Sequence, residues 1–136
     1  MKFKYARYED RLRPVIPIAL HHDAGMTDYE VLIDSGADVN VFAYQLGEYL
    51  GIDVASGSSS TLVGVAGIPE EFYFHRIRLD VGGQVITVEA GFAKAMDHMP
   101  YGIVGQRGFF DQFRVTFDLL AEVIELTPRR EREMAA

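Results

Sequence analysis

Val31-Leu32-Ile33-Asp34-Ser35-Gly36-Ala37-Asp38 is an apolar strand-like run that ends abruptly in a carboxylate, a hydroxyl and a glycine. Gly36 has no Cβ, so it permits the sharp turn that takes the chain out of the strand and lets backbone N–H groups come close to the Asp34 carboxylate. Ser35 places a short hydroxyl beside that carboxylate, where it can bond to neighbouring backbone. Taken by itself, the pattern also fits an ordinary Asp capping a turn after a strand.

Working outward, the surroundings read as β. Pro14 to His21 and Tyr29 to Ile33 are two short apolar runs separated by Asp23, Ala24 and Gly25, which predicts a hairpin leading into the Asp34 segment. Phe42, Leu46, Tyr49 and Leu50 recur at helical spacing ahead of Gly51, which predicts one short helix over Phe42 to Leu50. Gly57 and Ser58 to Ser60 read as a polar linker into the β-branched run Thr61 to Val65. Ala66, Gly67, Ile68 and Pro69 then read as a hairpin tip.

The most secure hairpin lies further on. Ile77, Leu79 and Val81 alternate with Arg76, Arg78 and Asp80, and Gly82-Gly83 is a two-residue turn able to take positive φ at both positions before Gln84 to Phe92 returns. Ile103-Val104-Gly105 follows, then a helical turn at Phe109 to Phe113 and two final strands at Arg114 to Phe117 and Glu122 to Thr127. No repeat and no long linker divides the chain, which predicts one small, mainly β, barrel-like domain over residues 1–127. From Pro128 the sequence turns to Arg129, Arg130, Glu131, Arg132 and Glu133, which predicts a charged flexible tail over 128–136.

Composition limits the function. The length of 136 residues suits a single core, and 49% apolar against 24% charged residues is a globular balance. A net charge of −7 with no basic stripe argues against nucleic acid as a partner. There is no cysteine, so neither a disulfide nor a thiolate metal site is available; a reducing, cytoplasmic setting is expected. Met1 to Arg13 is heavily charged and the apolar run Val15 to Leu20 is interrupted by Pro17, so neither a signal peptide nor a membrane span is expected. His21, His22 and Asp23 are neighbours whose side chains alternate between faces, and no third ligand is recognisable nearby. Phe72, Tyr73 and Phe74 read as core and groove wall. No metal and no cofactor are expected.

The Asp34 stretch resembles the active-site loop of aspartic proteases, whose pattern is two or three apolar residues, then Asp, Ser or Thr, Gly, and Ala or Ser. Gly102-Ile103-Val104-Gly105 resembles the apolar pair and glycine that pack beneath that loop. Val63-Gly64-Val65-Ala66-Gly67 falls where such enzymes carry their flap. Phe109-Phe110-Asp111-Gln112-Phe113-Arg114-Val115-Thr116-Phe117-Asp118 is similar to the closing helix and strand of small bacterial members. The resemblance is thus to the retroviral-type (retropepsin-like) family and covers Pro14 to Thr127. One position departs from it: retroviral members usually place an arginine directly after the glycine, pairing with the acid that Asp38 matches, and here that place holds Gln106, with Arg107 one residue later.

This resemblance implies a small closed β-barrel of the acid-protease type with one or two short helices, and an aspartic endopeptidase. Asp34 would be catalytic, Ser35 and Gly36 would support its loop, and Ile103, Val104 and Gly105 would pack against it. Ala37, Asp38, Gly64, Val65, Ala66 and Gly67 would contact the substrate. Peptide hydrolysis without a metal needs one group to take a proton from water and another to give one to the carbonyl oxygen. Two adjacent carboxyls sharing a proton do both, as is established for aspartic proteases as a class.

The sequence contains one Asp-Ser/Thr-Gly triplet. A homodimer contributing Asp34 twice is therefore required, with Met1 to Tyr8 or Glu122 to Thr127 as candidate partner-pairing strands. The expected substrate is a peptide or protein, cut below neutral pH. The alternative is a non-catalytic homodimeric peptide- or protein-binding module on the same fold.

Overall fold

The run that ends at Asp34 is the last part of a nine-residue strand. In the computed structural model, which describes residues 1–63 and 69–130, short strands β1 (Lys2–Lys4), β2 (Ala6–Tyr8) and β3 (Arg11–Arg13) precede β4 (Val15–His22) and β5 (Gly25–Ile33). β4 and β5 pair antiparallel from Val15↔Leu32 to His22↔Gly25, forming the hairpin read from the sequence. β5 begins at Gly25 rather than Tyr29 because its first half alternates exposed Met26, Asp28 and Glu30 with half-buried Thr27 and Tyr29, a wet-faced strand with no apolar run to mark it.

Strand β6 (Asn40–Ala43) and helix α1 (Tyr44–Tyr49) follow, then β7 (Ser58–Val63), β8 (Pro69–Val81), β9 (Gln84–Ala93), β10 (Gly102–Val104), β11 (Phe113–Asp118) and β12 (Val123–Pro128). Single 3-10 turns lie at Val54–Ser56 and Lys94–His98. Six strands hydrogen-bond in the order β4-β5-β10-β6-β9-β8, and β4 closes on β8 through Ala19↔Asp80, Leu20↔Leu79 and His21↔Arg78. The result is a closed, mainly β barrel with one short helix. Gly82 and Gly83 turn β8 into β9 with φ of +58 and +91, the conformation that favours glycine at both positions.

The barrel interior holds Ile16, Leu20, Val31, Phe42, Leu79, Val81, Phe92 and Val104, with Phe109 and Phe113 packed in the same cluster. Each side chain of this size contributes about 1.5–3 kcal/mol through burial. Val41, Ala43, Ala93 and Met96 form a second, smaller cluster with Ile103 and Phe72 against it.

Two local expectations change. The helix begins at Tyr44, because Phe42 and Ala43 continue β6 in parallel pairing with Phe92 and Ala93; Gly51 at φ +83 ends it as expected. Ser58, Ser59 and Ser60 are strand rather than linker, paired with Phe74, Tyr73 and Phe72 along an exposed barrel appendage. The helical turn expected at Phe109 to Phe113 is present, with Phe113 N donating to Phe109 O at 2.9 Å; Phe113 then enters β11 opposite Pro128.

The chain ends form a third arrangement. β1, β12 and β11 make a separate three-stranded sheet in that order, so β12 is paired on both sides within one chain. The Glu122 to Thr127 candidate therefore offers no open strand edge, and among the described residues the open edges of this sheet belong to β1 and β11. Arg129 lies just beyond β12, where its N donates to Gln112 O at 3.0 Å and its Nε to Phe110 O at 2.9 Å. No helix among the described residues is long and apolar enough to cross a membrane.

Candidate active site

β10 runs between β5 and β6. It pairs parallel with β5 through Gly102↔Val31, Ile103↔Leu32 and Val104↔Ile33, and antiparallel with β6 through Ile103↔Val41. The segment joining β5 to β6 must therefore loop over the end of β10, and Asp34, Ser35, Gly36, Ala37 and Asp38 are that loop. Both sequence matches, distant in the chain, meet here.

Backbone bonds define the loop. Asp34 N donates to Val104 O at 3.0 Å, and Ala37 N to Asp34 O at 3.2 Å. Gly36 N donates to Asp34 Oδ1 at 2.8 Å, so one carboxylate oxygen is held by the loop's own glycine. A Cβ on Gly36 would stand 3.2 Å from that oxygen, which is why the close approach favours glycine. Asp34 and Ala37 are half-buried, while Ser35, Gly36 and Asp38 are exposed. One carboxylate oxygen is thus anchored by the loop on a residue that is only half-buried.

Residues 105–107 continue from β10 alongside 37–39. Gln106 N donates to Ala37 O at 2.8 Å and Arg107 N to Asp38 O at 3.0 Å, with Val39 bridging Arg107 in parallel. A Cβ on Gly105 would lie 2.4 Å from Ala37 O and 2.8 Å from Val39 O, both rigid backbone, so only glycine fits. The three expected loop-packing residues divide their roles. Val104 is buried in the barrel and Gly105 admits the loop, while Ile103 packs on the second cluster, on the other face of β10.

Several contributors escaped the sequence reading. Asn40 is fully buried; its Oδ1 accepts from Gly105 N at 3.0 Å and its Nδ2 donates to Glu89 O at 3.4 Å, tying β10, β6 and β9 together behind the loop. A polar residue opening the apolar run Asn40-Val41-Phe42-Ala43 was the available signal. Tyr29 lies under Gly102, whose added Cβ would come within 2.5 Å of the ring. Burial pushes the Tyr29 hydroxyl up to about 12 and the Asp97 carboxylate adds to this, against the opposing hydrogen bond from Ala43 N. Tyr8 hydrogen-bonds Glu30 and stacks edge-on against Tyr101 at 5.2 Å.

Gln106 fills the place where the resemblance leads one to look for an arginine. Its Nε2 donates to Ser35 O at 2.5 Å. Arg107 reaches Asp38 through its main chain, and among the described residues no side-chain ion pair joins the two. The expected substrate contacts Gly64, Val65, Ala66 and Gly67 lie outside the described residues. Among the described residues no group of three His, Asp or Glu side chains could hold a metal ion. A cavity of about 370 Å³, lined in part by Tyr29, Leu46, Tyr49 and Met99, includes none of the Asp34 loop.

No protein-family model matches the chain, and no curated protein matches it. Solved structures do. The chain is similar to a retropepsin-like aspartic protease from Rickettsia conorii, with TM-score 0.64, 13% identity and coverage of 91% of this chain and 97% of that one. It is also similar to the EIAV protease in complex with an inhibitor, with TM-score 0.52, 22% identity and coverage of 74% and 88%. At these identities the likeness is one of architecture, and it agrees with the closed, mainly β barrel. The chain has the retropepsin-like aspartic protease fold.

Proposed function

We propose that the chain is an aspartic endopeptidase that works as a homodimer, with Asp34 from each copy forming the catalytic pair. The observation that carries this reading is the Asp34 carboxylate itself. It stands at the end of β5, half-exposed, with one oxygen held by Gly36 N at 2.8 Å and its loop bonded to β10 through Val104 O. The sequence supplies one such triplet, so the second carboxyl comes from a second copy across a two-fold axis.

In the assembled pair, repulsion between the like charges keeps one proton shared. The ionised partner takes a proton from water as that water attacks the scissile carbonyl, and the protonated partner donates to the carbonyl oxygen. The tetrahedral intermediate then collapses, with a proton passing to the leaving amine. Ser35 is assigned to hold the two loops in register, and Ala37, Asp38 and the 64–67 segment to flank an extended peptide.

The test is cleavage of an unfolded protein or an apolar peptide below neutral pH. The parent chain should cut, and Asp34→Asn should be folded, dimeric and inert. An Asp34→Asn chain that cuts as fast as the parent removes Asp34 from the mechanism. A parent that binds peptide without ever cutting it supports the binding-module alternative.

A further inference from the structure

Gln106 touches the Asp34 loop at two carbonyls, those of Ser35 and Ala37. Its main-chain N donates to Ala37 O at 2.8 Å and its side-chain Nε2 to Ser35 O at 2.5 Å. The first contact, together with Arg107 N to Asp38 O, fixes where the Gln106 backbone lies; the second is made by the side chain alone. A carbonyl only accepts, so the amide nitrogen is the end that faces it.

The carbonyl it grips has a consequence for Asp34. Ser35 C=O and Gly36 N–H are the two ends of one planar peptide unit. That same Gly36 N–H donates to Asp34 Oδ1 at 2.8 Å. The bonds therefore form one chain: Gln106 Nε2–H to Ser35 O, through the peptide, and from Gly36 N–H to the carboxylate. A donor on the peptide oxygen draws electron density away from the nitrogen and makes the N–H a stronger donor, and it also stops the peptide plane from rotating.

We infer that Gln106 is a positioning residue, which aims and strengthens the Gly36 N–H that holds the Asp34 carboxylate. It supports the loop through its side chain by gripping Ser35 O. The inference rests on reading Asp34 as catalytic.

A merely structural role is separable from this one. The loop is already held by Asp34 N to Val104 O, Gln106 N to Ala37 O and Arg107 N to Asp38 O, and the Gln106 side chain is exposed. Removing its amide should leave the fold and the urea midpoint close to the parent's.

The experiment uses the full chain and three variants. Gln106→Leu removes the donor, Gln106→Glu replaces it with an acceptor when ionised, and Gln106→Lys restores a donor. Two-dimensional amide spectra follow the Gly36 proton, and peptide cleavage gives kcat and KM separately. In Gln106→Leu and Gln106→Glu the Gly36 amide proton should move upfield and kcat should fall on the order of tenfold with KM little changed. Gln106→Lys should recover both.

A Gly36 resonance that stays in place in Gln106→Leu overturns the bond chain whatever the activity does. A resonance that moves while kcat holds overturns the positioning role and leaves the proposed activity intact. A parent chain that cuts nothing removes the catalytic reading, and the Gly36 resonance still decides whether the bond chain exists.

Discussion

Asp34 N is bonded to Val104 O at 3.0 Å across a sequence separation of seventy residues. This contact, with Gln106 N to Ala37 O and Arg107 N to Asp38 O, fastens the loop that carries the carboxylate to the strand threaded beneath it and the residues that follow. Gly105 follows immediately and admits the loop at its closest approach.

Gly105→Ala tests that approach. The new methyl would sit 2.4 Å from Ala37 O and 2.8 Å from Val39 O, and neither is a flexible side chain that could swing away. The variant should lose at least about 2 kcal/mol of stability, measured by urea unfolding, together with any peptide cleavage. A stable, active Gly105→Ala would mean that the two segments are not packed this closely.

Asn40→Ala tests the buried brace behind the site. Gly105 N would lose its acceptor inside the barrel, and an unsatisfied buried donor costs about 1–3 kcal/mol. Calorimetry should show the loss, and Asn40→Leu, which fills volume without restoring the bond, should not recover it.

The β2–β3 turn tests backbone strain. Glu9 and Asp10 hold φ of +49 and +61, a left-handed conformation that costs roughly 1–2 kcal/mol per residue for a side chain other than glycine. The double change Glu9→Asn and Asp10→Gly suits a two-residue hairpin turn with positive φ at both places. It should raise the thermal midpoint; a fall would show that the acids make contacts worth more than the strain.

Alkaline pH tests Tyr29. Its folded-state value is raised to about 12, chiefly by burial, above the ordinary tyrosine value near 10. A group that binds its proton more tightly when folded contributes stability that is complete below the unfolded value and fades as pH climbs through the folded one. Stability should therefore decline between about pH 10 and about pH 12. Tyr29→Phe should flatten part of that decline. Tyr8, raised to about 12 by burial and by its bond to Glu30, accounts for some of what remains.

Much of the fold was legible because its signals are local. Gly82-Gly83 between alternating strands specified a hairpin, and the structure has it with both glycines at positive φ. The Asp34 and Val104 segments could be paired through the family resemblance that their motifs carry. What stayed hidden was set by partners far away in sequence. Ser58 to Ser60 carry no apolar signal because they sit on an exposed strand whose ladder is supplied by β8. The charged β1 joins β12 from the opposite end of the chain, and nothing in either segment alone marks the match. Gln106 could be seen to differ from the pattern, but its grip on Ser35 O spans seventy-one residues and needed coordinates.

The central claim is that one active site needs Asp34 from two chains. Mixing parent and Asp34→Asn chains under exchange, at constant total concentration, measures it directly. If the site is shared, activity should fall as the square of the parent fraction, since only parent–parent dimers hold two carboxyls. Activity that falls in simple proportion to the parent fraction would contradict the account, because each chain would then be cutting with its own Asp34 alone.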